Sequence, residues 1–264
     1  MSARHGLLLS ALRAAGRRSP RATLPGWLRA FALPPVREVF LRQVYFTGIQ
    51  ATATVLFRGA VIGTVIIAYV IRVLNADVET STRILLTVVF REAAPLFAAV
   101  LVIFRSASAA TSELALMNIA GELGTMRRLG ISVFDWLVLP RVAGIALATT
   151  AMTLQFQVMA VLGGILLTPF VIDATSLQIA NQFLHSASLW DIGYALTKSL
   201  AFGAIIALVC CAQGLRLPRR EQGAVPQAVT RAIMQSVAYV GMFNAAFAYF
   251  VFGVLMFGLI RAGV

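Results

Sequence analysis

The stretch VAGIALATTAMTLQFQVMAVLGGILLTPFVI, residues 142–172, decides the fold because it runs for 31 residues without a charged side chain. About 20 predominantly apolar residues are enough for an α-helix to cross the hydrocarbon core of a bilayer, which is ~30 Å thick. Long apolar stretches of this kind are typical of membrane proteins. Residues 142–172 therefore predict a transmembrane helix.

The composition of the whole chain extends this prediction. Of its 264 residues, 59% are hydrophobic and 12% are charged, and the mean hydropathy is +0.86. A soluble domain carries about 25% charged residues, so this chain has too little polar surface to cover a water-facing globule. One all-α integral membrane domain is predicted, and an ordinary cytosolic enzyme is disfavoured.

Five stretches are long and apolar enough to span a membrane. The predicted spans cover about residues 52–74, 84–117, 136–172, 189–215 and 232–260. Basic residues are retained on the cytoplasmic side, and arginines cluster before span one, after span two and after span four. The connection after span three contains Asp173 and Asp191 but no Lys or Arg. This alternation predicts a cytoplasmic N-terminus and a C-terminus on the opposite side.

The first 37 residues form a basic segment with seven arginines and no acidic residue. Such a segment is attracted to anionic lipid headgroups, so we expect it to lie on the cytoplasmic membrane surface, followed by a membrane domain over residues 38–264. Arg-rich starts without acids are also typical of organelle transit peptides, and this alternative stays open.

Several kinds of chemistry find no support in the sequence. Cys210 and Cys211 are adjacent in an apolar run, His5 and His185 are far apart, and no metal-binding spacing occurs. The single lysine, Lys198, is not preceded by the glycine pattern of a phosphate-binding loop. We therefore expect no enzyme activity and no cofactor on this chain, and any use of ATP must depend on a partner.

Ionisable residues inside the predicted spans are the first functional candidates. An unpaired charge at the centre of a bilayer costs ~2.5–3.5 kcal/mol, so these side chains should face a partner helix, a polar cavity or the interface. Consecutive helical residues point about 100° apart, so Arg91 and Glu92 should bridge to other helices rather than pair with each other. For Arg105 and Lys198, reaching out to the headgroups is the alternative. The full set is Arg58, Arg91, Glu92, Arg105, Glu113 and Lys198.

Small residues mark likely sites of helix packing. Gly59 and Gly63 form a GxxxG pattern in span one, and Gly163 and Gly164 lie deep in span three. Membrane helices approach closely where side chains are small, although glycine is also common in membrane helices generally.

The segment NIAGELGTMRRLG, residues 118–130, is too polar to cross the membrane. Leu123, Met126 and Leu129 recur at helical spacing, which predicts a short amphipathic cytoplasmic helix capped by Gly130. Such a helix could lie on lipid or dock into a groove of a soluble partner.

Five motifs follow one another along the chain: LRQVYFTGI (41–49), GAVIGTVI (59–66), FREAAPLFAAVLVIFR (90–105), SELALM (112–117) and VLPR (138–141). In their order and spacing they resemble the permease subunits of MlaE-family ABC transporters, which work with MCE proteins to move lipids across the bacterial envelope. The resemblance covers the chain from about residue 36 to its end.

The resemblance implies an architecture and a set of partners. It implies an N-terminal interfacial helix, five spans, a coupling helix over residues 118–130, and a homodimer around a lipid cavity. It also implies ABC ATPase subunits that hold ATP and Mg²⁺, an MCE protein, membrane lipids and a small accessory subunit as partners, with no nucleic acid. A bacterial inner membrane is the implied location, and a plastid envelope is the alternative. Phospholipid is the implied cargo.

Functional residues follow from the same resemblance. Arg91 and Glu92 match the RE of the family's RELGP, Glu113 its AELG acid, and Lys198 its membrane-embedded lysine. Arg105 and Asn244 complete the implied transport set. Residues implied in ATPase coupling are Asn118, Glu122, Met126, Arg127 and Arg128.

The sequence departs from the family at two functional positions. Gly121 replaces the usual coupling glutamate, and Glu122 stands one position later. Asn244 stands where the family often has an aspartate, which would leave Lys198 a neutral partner.

A lipid-transporting permease is therefore the predicted function. A membrane scaffold or assembly subunit without transport activity is the alternative. An enzyme acting on lipid headgroups is a third hypothesis, but the sequence has no GxSxG motif and its acidic residues are scattered.

Overall fold

The computed structural model describes residues 34–74, 80, 83–170, 175–186, 188–216 and 222–261. Helices account for almost all of these residues, and none of them is in a β-strand. The predicted basic surface segment falls almost wholly on residues 1–33, which lie outside the described residues, as do parts of the connections after spans one, three and four.

The described helices follow one another with short connections. The first two helices are α1 (Pro34–Thr47) and α2 (Thr52–Leu74), joined by a 3-10 turn. Span two is built from a first π-helix (Leu85–Ala93), α3 (Ala94–Val102), a second π-helix (Ile103–Ala107) and α4 (Ser108–Ile119). The remaining helices are α5 (Glu122–Arg128), α6 (Leu139–Leu167), which continues the π-helix Phe134–Val138, α7 (Ser176–Ser186), α8 (Leu189–Leu215) and α9 (Val225–Arg261).

Four helices of the described part are long and apolar enough to cross a membrane: Val36–Ile66, Leu86–Ile119, Phe134–Leu167 and Trp190–Leu215. The prediction of an all-helical membrane protein is therefore confirmed. The first of these helices starts before residue 52 because α1 and the 3-10 turn Ile49–Ala51 lead into α2 with almost no break in the helical chain. The predicted fifth span lies within α9, a helix of 37 residues, and the count of five spans stays a prediction.

Helix α7 was not predicted, because the connection after span three is too polar and too short to resemble a span. Only Ile179 of this helix is buried among its described side chains.

Helix α6 occupies the centre of the fold and packs against α1, α2, α3 and α8. Small residues permit the α2–α6 contact: a Cβ on Gly59 would lie 2.8 Å from the Phe156 carbonyl oxygen, and Gly63 faces Ala160. On the α6 side of the same contact, Gly163 faces Ala60 of α2, and the adjacent Gly164 is buried. Larger side chains would force the two backbones apart, so the glycines set this helix separation.

Candidate functional site

Two ion pairs join the first π-helix of span two to α8. The Arg91 guanidinium places Nε and Nη2 each 2.6 Å from Oδ1 of Asp191. The neighbouring Glu92 places Oε2 2.6 Å from Nζ of Lys198. Arg91 and Glu92 thus pair with another helix and not with each other. We call these four residues, together with Tyr194, the charge network.

Helix α8 presents its members of the charge network on one face. Asp191, Tyr194 and Lys198 follow the i, i+3, i+7 spacing that aligns side chains along a helix. Ser188 begins the helix by accepting a hydrogen bond from the Trp190 N–H at 3.2 Å. Asp191 was assigned to a polar connection, and this was wrong: it lies in the first turn of α8 with 6% of its surface exposed.

Lys198 is completely buried and points inward, so the alternative that it reaches out to the headgroups is wrong. Its ammonium also donates to the Arg91 carbonyl oxygen at 3.3 Å. Pro95, four residues after Arg91, has no N–H to donate to that carbonyl. The Tyr194 hydroxyl donates to Oε1 of Glu92 at 3.3 Å, so the carboxylate is held from both sides.

Aromatic rings complete the surroundings of the Lys198 ammonium. Its Nζ lies 5.5 Å from the ring centroid of Tyr194 and 5.9 Å from that of Phe202, within cation–π range. Phe243 and Phe247 of α9 stack on each other and contact Phe202 and Tyr194, respectively. With two cations and two anions, the charge network is neutral.

Asn244 does not serve as the partner of Lys198, and the expectation of a neutral partner was wrong. The ammonium is instead paired with Glu92, which reaches α8 from span two. Oδ1 of Asn244 is buried and has no hydrogen-bond partner among the described residues.

A second charged cluster lies at the other end of span two. Glu113 of α4 places Oε2 3.0 Å from Nη2 of Arg141, near the start of α6. Arg141 is 2% exposed and donates from Nη1 to the Leu137 carbonyl oxygen at 3.4 Å. Glu92 and Glu113 are 21 positions apart, or about 30 Å at helical rise, so the two clusters lie on opposite sides of the molecule.

The second cluster borders a cleft of about 380 Å³ between α1, span two and α6. Arg42, Gln43 and Phe46 of α1 form one wall, and Arg105 lies opposite on the second π-helix. We call this space the arginine cleft. Arg105 is exposed, and Arg58, on α2, is exposed outside the cleft.

The predicted coupling segment contains a shorter helix than expected. Residues 118 and 119 complete α4, and Gly121 turns the chain with a φ of +78°, so α5 covers Glu122–Arg128 only. Gly130 has a φ of +73° and donates to the Arg127 carbonyl, while Ile131 donates to that of Met126. This pattern is a Schellman cap, so Gly130 ends the helix as the sequence indicated.

Helix α5 is attached to the fold by two side chains of the predicted apolar stripe. Leu123 is buried, and Met126 packs against a small core formed with Leu114, Val133 and Cys211. Leu129 was assigned to the same stripe, and this was wrong: the helix has ended and 60% of Leu129 is exposed. The polar residues Glu122, Arg127 and Arg128 are exposed.

Asn118, a member of the predicted coupling set, forms a hydrogen bond that connects two helices. Its Nδ2 donates to the Leu215 carbonyl oxygen at 3.1 Å, at the last residue of α8. The end of span two is therefore tied to the end of span four directly beside α5.

Sequence reasoning missed several polar residues of the two sites. Asp191 and Tyr194 carried a signal, since both lie at helical spacing from Lys198. Arg141 was counted among the cytoplasmic arginines and in the VLPR motif, but no partner was predicted for it. Gln157, a polar residue inside the uncharged stretch, donates to the Phe90 carbonyl oxygen at 3.1 Å beside the charge network. Among the described residues, no group of His, Cys, Asp and Glu could hold a metal ion.

Comparison with known proteins assigns residues 40–250 to a family described as Permease MlaE. A protein of Synechocystis sp. named as a probable ABC transporter permease is 27% identical, and the match covers 82% of each chain. A Rickettsia felis protein with the same description is 26% identical over 77% of this chain and 79% of its own. The chloroplastic Arabidopsis thaliana protein TRIGALACTOSYLDIACYLGLYCEROL 1 is 32% identical over 60% of this chain, which spans 44% of the plant protein.

Proposed function

Because the chain belongs to the MlaE permease family, we propose that it is the membrane subunit of an ABC transporter that moves lipids, phospholipids above all, across a bacterial envelope. The charge network is the observation that carries this proposal. Ionisable groups inside membrane spans are rare and costly, and they mark substrate and ion pathways. A fully buried Lys198 paired with Glu92 has this character.

The energy source belongs to a partner in this proposal. The sequence has no phosphate-binding loop, and its relatives in Synechocystis and Rickettsia are named as permeases of ABC transporters. Helix α5 exposes Glu122, Arg127 and Arg128 while Leu123 anchors it to the core. A helix that is anchored on one face and charged on the other suits a groove of an ATPase subunit. ATP and Mg²⁺ are bound by that subunit.

The membrane arrangement follows the basic residues. We propose five spans, with α9 as the fifth, a cytoplasmic N-terminus and α5 on the cytoplasmic side of a bacterial inner membrane. The charge network then lies towards the opposite side of the membrane, where an MCE protein would receive or deliver lipid. A second copy of the chain completes the transport pathway. The name of the Arabidopsis relative, which is that of a glycolipid, supports a lipid cargo.

The proposal is tested by purification in mild detergent and by reconstitution. We expect an ATPase with a phosphate-binding loop to copurify with the chain, and the complex to move fluorescent phospholipid between vesicles when ATP is added. Absence of any such ATPase from the purified complex would favour the scaffold alternative. Lipid turnover by the chain alone would favour the enzyme hypothesis.

Matched variants of α5 test the coupling role. Glu122→Gln and Arg127→Ala should reduce ATP-driven lipid movement at least tenfold while the copurified ATPase still hydrolyses ATP, because the contact that transmits its conformational change is weakened. Thr125→Ala is the control, since Thr125 is exposed on the same helix and carries no charge. Unchanged transport in both charge variants would exclude this role for α5.

A further inference from the structure

The arginine cleft combines an open volume with an excess of positive charge. Arg42, Arg105 and Arg141 line it, and Glu113 is the one acidic residue that the described ranges place on its wall. Among the described residues, no carboxylate lies within 4 Å of the Arg42 or Arg105 guanidinium groups, whereas Arg141 is paired with Glu113. The cleft therefore has a surplus of two positive charges facing a space of about 380 Å³.

Arg141 supplies an independent indication of a ligand. It is 2% exposed, and its Nε is buried and has no hydrogen-bond partner within the described part of the chain. Leaving a buried donor unsatisfied costs about 1–3 kcal/mol, and more for a charged group. A buried guanidinium with a spare donor beside an open cleft is arranged for an anion.

The type of anion follows from the donors. Guanidinium groups bind phosphate oxygens through two parallel N–H donors, and several arginines around one space can share the oxygens of one phosphate group. Ser106 adds a small polar residue to the wall, and the ring of Phe46 lies 5.6 Å from the Arg42 guanidinium carbon. The apolar part of the wall and the exposed apolar side chains beside it suit a molecule with a charged head and an apolar tail.

We infer that the arginine cleft binds a phosphate group, presented by a phospholipid headgroup, and that Glu113 competes with this phosphate for Arg141. This inference names the ligand class and rests on the proposed lipid transport. The Glu113 side chain is 47% exposed and that of Arg141 only 3%. The carboxylate can therefore turn towards water when a phosphate takes its place, while the guanidinium stays fixed.

The position of the cleft agrees with entry or exit of lipid on one side of the membrane. Glu113 lies six residues before the end of α4, which leads directly into α5. A movement of α5 would thus be transmitted to the Glu113–Arg141 pair through about two helical turns. Lipid binding at the cleft and the proposed ATPase contact are close enough to influence each other.

Binding is measured on the purified full chain in maltoside detergent, which contains no phosphate, with no ATPase and no transport in the assay. Fluorescent phosphatidylglycerol, phosphatidylcholine and diacylglycerol with identical labelled tails are titrated, and anisotropy reports binding. We expect both phospholipids to bind at least tenfold more tightly than diacylglycerol. Arg105→Gln and Arg42→Gln should reduce this preference severalfold, and Glu113→Gln should increase phospholipid affinity because it removes the competitor.

Arg58→Gln is the control, since Arg58 is exposed on α2 outside the cleft, and it should leave the preference unchanged. Titration calorimetry with inorganic phosphate distinguishes the source of the ligand. Phosphate binding that depends on Arg105, without preference for phospholipid over diacylglycerol, would support the phosphate site but overturn the headgroup as its ligand. Equal binding of all three lipids together with no phosphate binding would overturn the inference, and ATP-driven transport in the separate reconstitution would still stand.

Discussion

Replacing Glu92 and replacing Lys198 should destabilise the protein to different extents, although the two residues form one ion pair. The Lys198 side chain is completely buried, whereas 35% of the Glu92 side chain is exposed. Glu92→Gln leaves an ammonium ion without its carboxylate in a dry environment. Lys198→Met leaves a carboxylate that is only partly buried and that still accepts a hydrogen bond from Tyr194.

The expected magnitudes follow from this difference. An unpaired lysine inside a membrane costs ~2.5–3.5 kcal/mol, and breaking a buried pair costs about 3–5 kcal/mol. The Arg91 carbonyl and the aromatic rings retain part of the stabilisation, so we expect Glu92→Gln to lower the free energy of unfolding by about 3 kcal/mol. Lys198→Met should cost about 1 kcal/mol, because partly exposed pairs contribute little.

The double variant Glu92→Gln/Lys198→Met measures the energy of the interaction between the two side chains, apart from the contacts that each makes with other residues. It buries no charge, so its cost should be at least about 2 kcal/mol below the sum of the single variants, a coupling typical of residues in direct contact. The free energy of unfolding is measured by SDS titration of the protein in micelles, followed by circular dichroism. Arg58→Met serves as the control for loss of an exposed cation on α2.

Equal costs for the two single variants, or additive costs in the double variant, would refute the reasoning. Equal costs would mean that the Lys198 ammonium and the Glu92 carboxylate are equally buried. Additive costs would mean that the two side chains do not interact.

Two further predictions concern glycines. Gly63→Val should lower the unfolding temperature by several degrees and reduce the yield of folded protein, because its side chain would collide with the Ala160 backbone. Gly241→Val, in open space on α9, is the control, and an equal loss in both variants would contradict a specific α2–α6 contact. Gly130→Ala should cost about 1 kcal/mol, since its φ is +73°, and should reduce amide protection across α5 in hydrogen exchange. Unchanged protection there would show that the cap does not hold this helix.

The parts of the fold that depend on local sequence could be predicted. Uncharged runs locate the helices because the cost of burying charge in lipid is large and local. Gly130 ends α5 because a positive φ suits glycine, and Gly59, Gly63 and Gly163 lie where two helices touch because only small residues allow such contact. Each of these effects depends on a few neighbouring residues.

The partners of the charged residues could not be predicted. Asp191 pairs with Arg91, a residue 100 positions away. This pairing depends on how far span two and α8 are displaced along their axes relative to each other, and on the rotation of each helix about its own axis. Periodicity gives the face of a helix but neither of these quantities. Arg141 was missed for the same reason, since its partner Glu113 lies on another helix. Leu129 was misassigned because the Schellman cap ends the helix one residue earlier.

The order of charges along the two paired helices has a consequence for assembly in the bilayer. Span two offers a cation followed by an anion, Arg91 and Glu92, and α8 offers an anion followed by a cation, Asp191 and Lys198. Sliding α8 by two turns would set Lys198 against Arg91, and the opposite slide would set Asp191 against Glu92. Like charges would then meet where the two helices pack together. A single vertical register of these helices is therefore selected, although each helix is neutral over its two charged positions and apolar along most of its length.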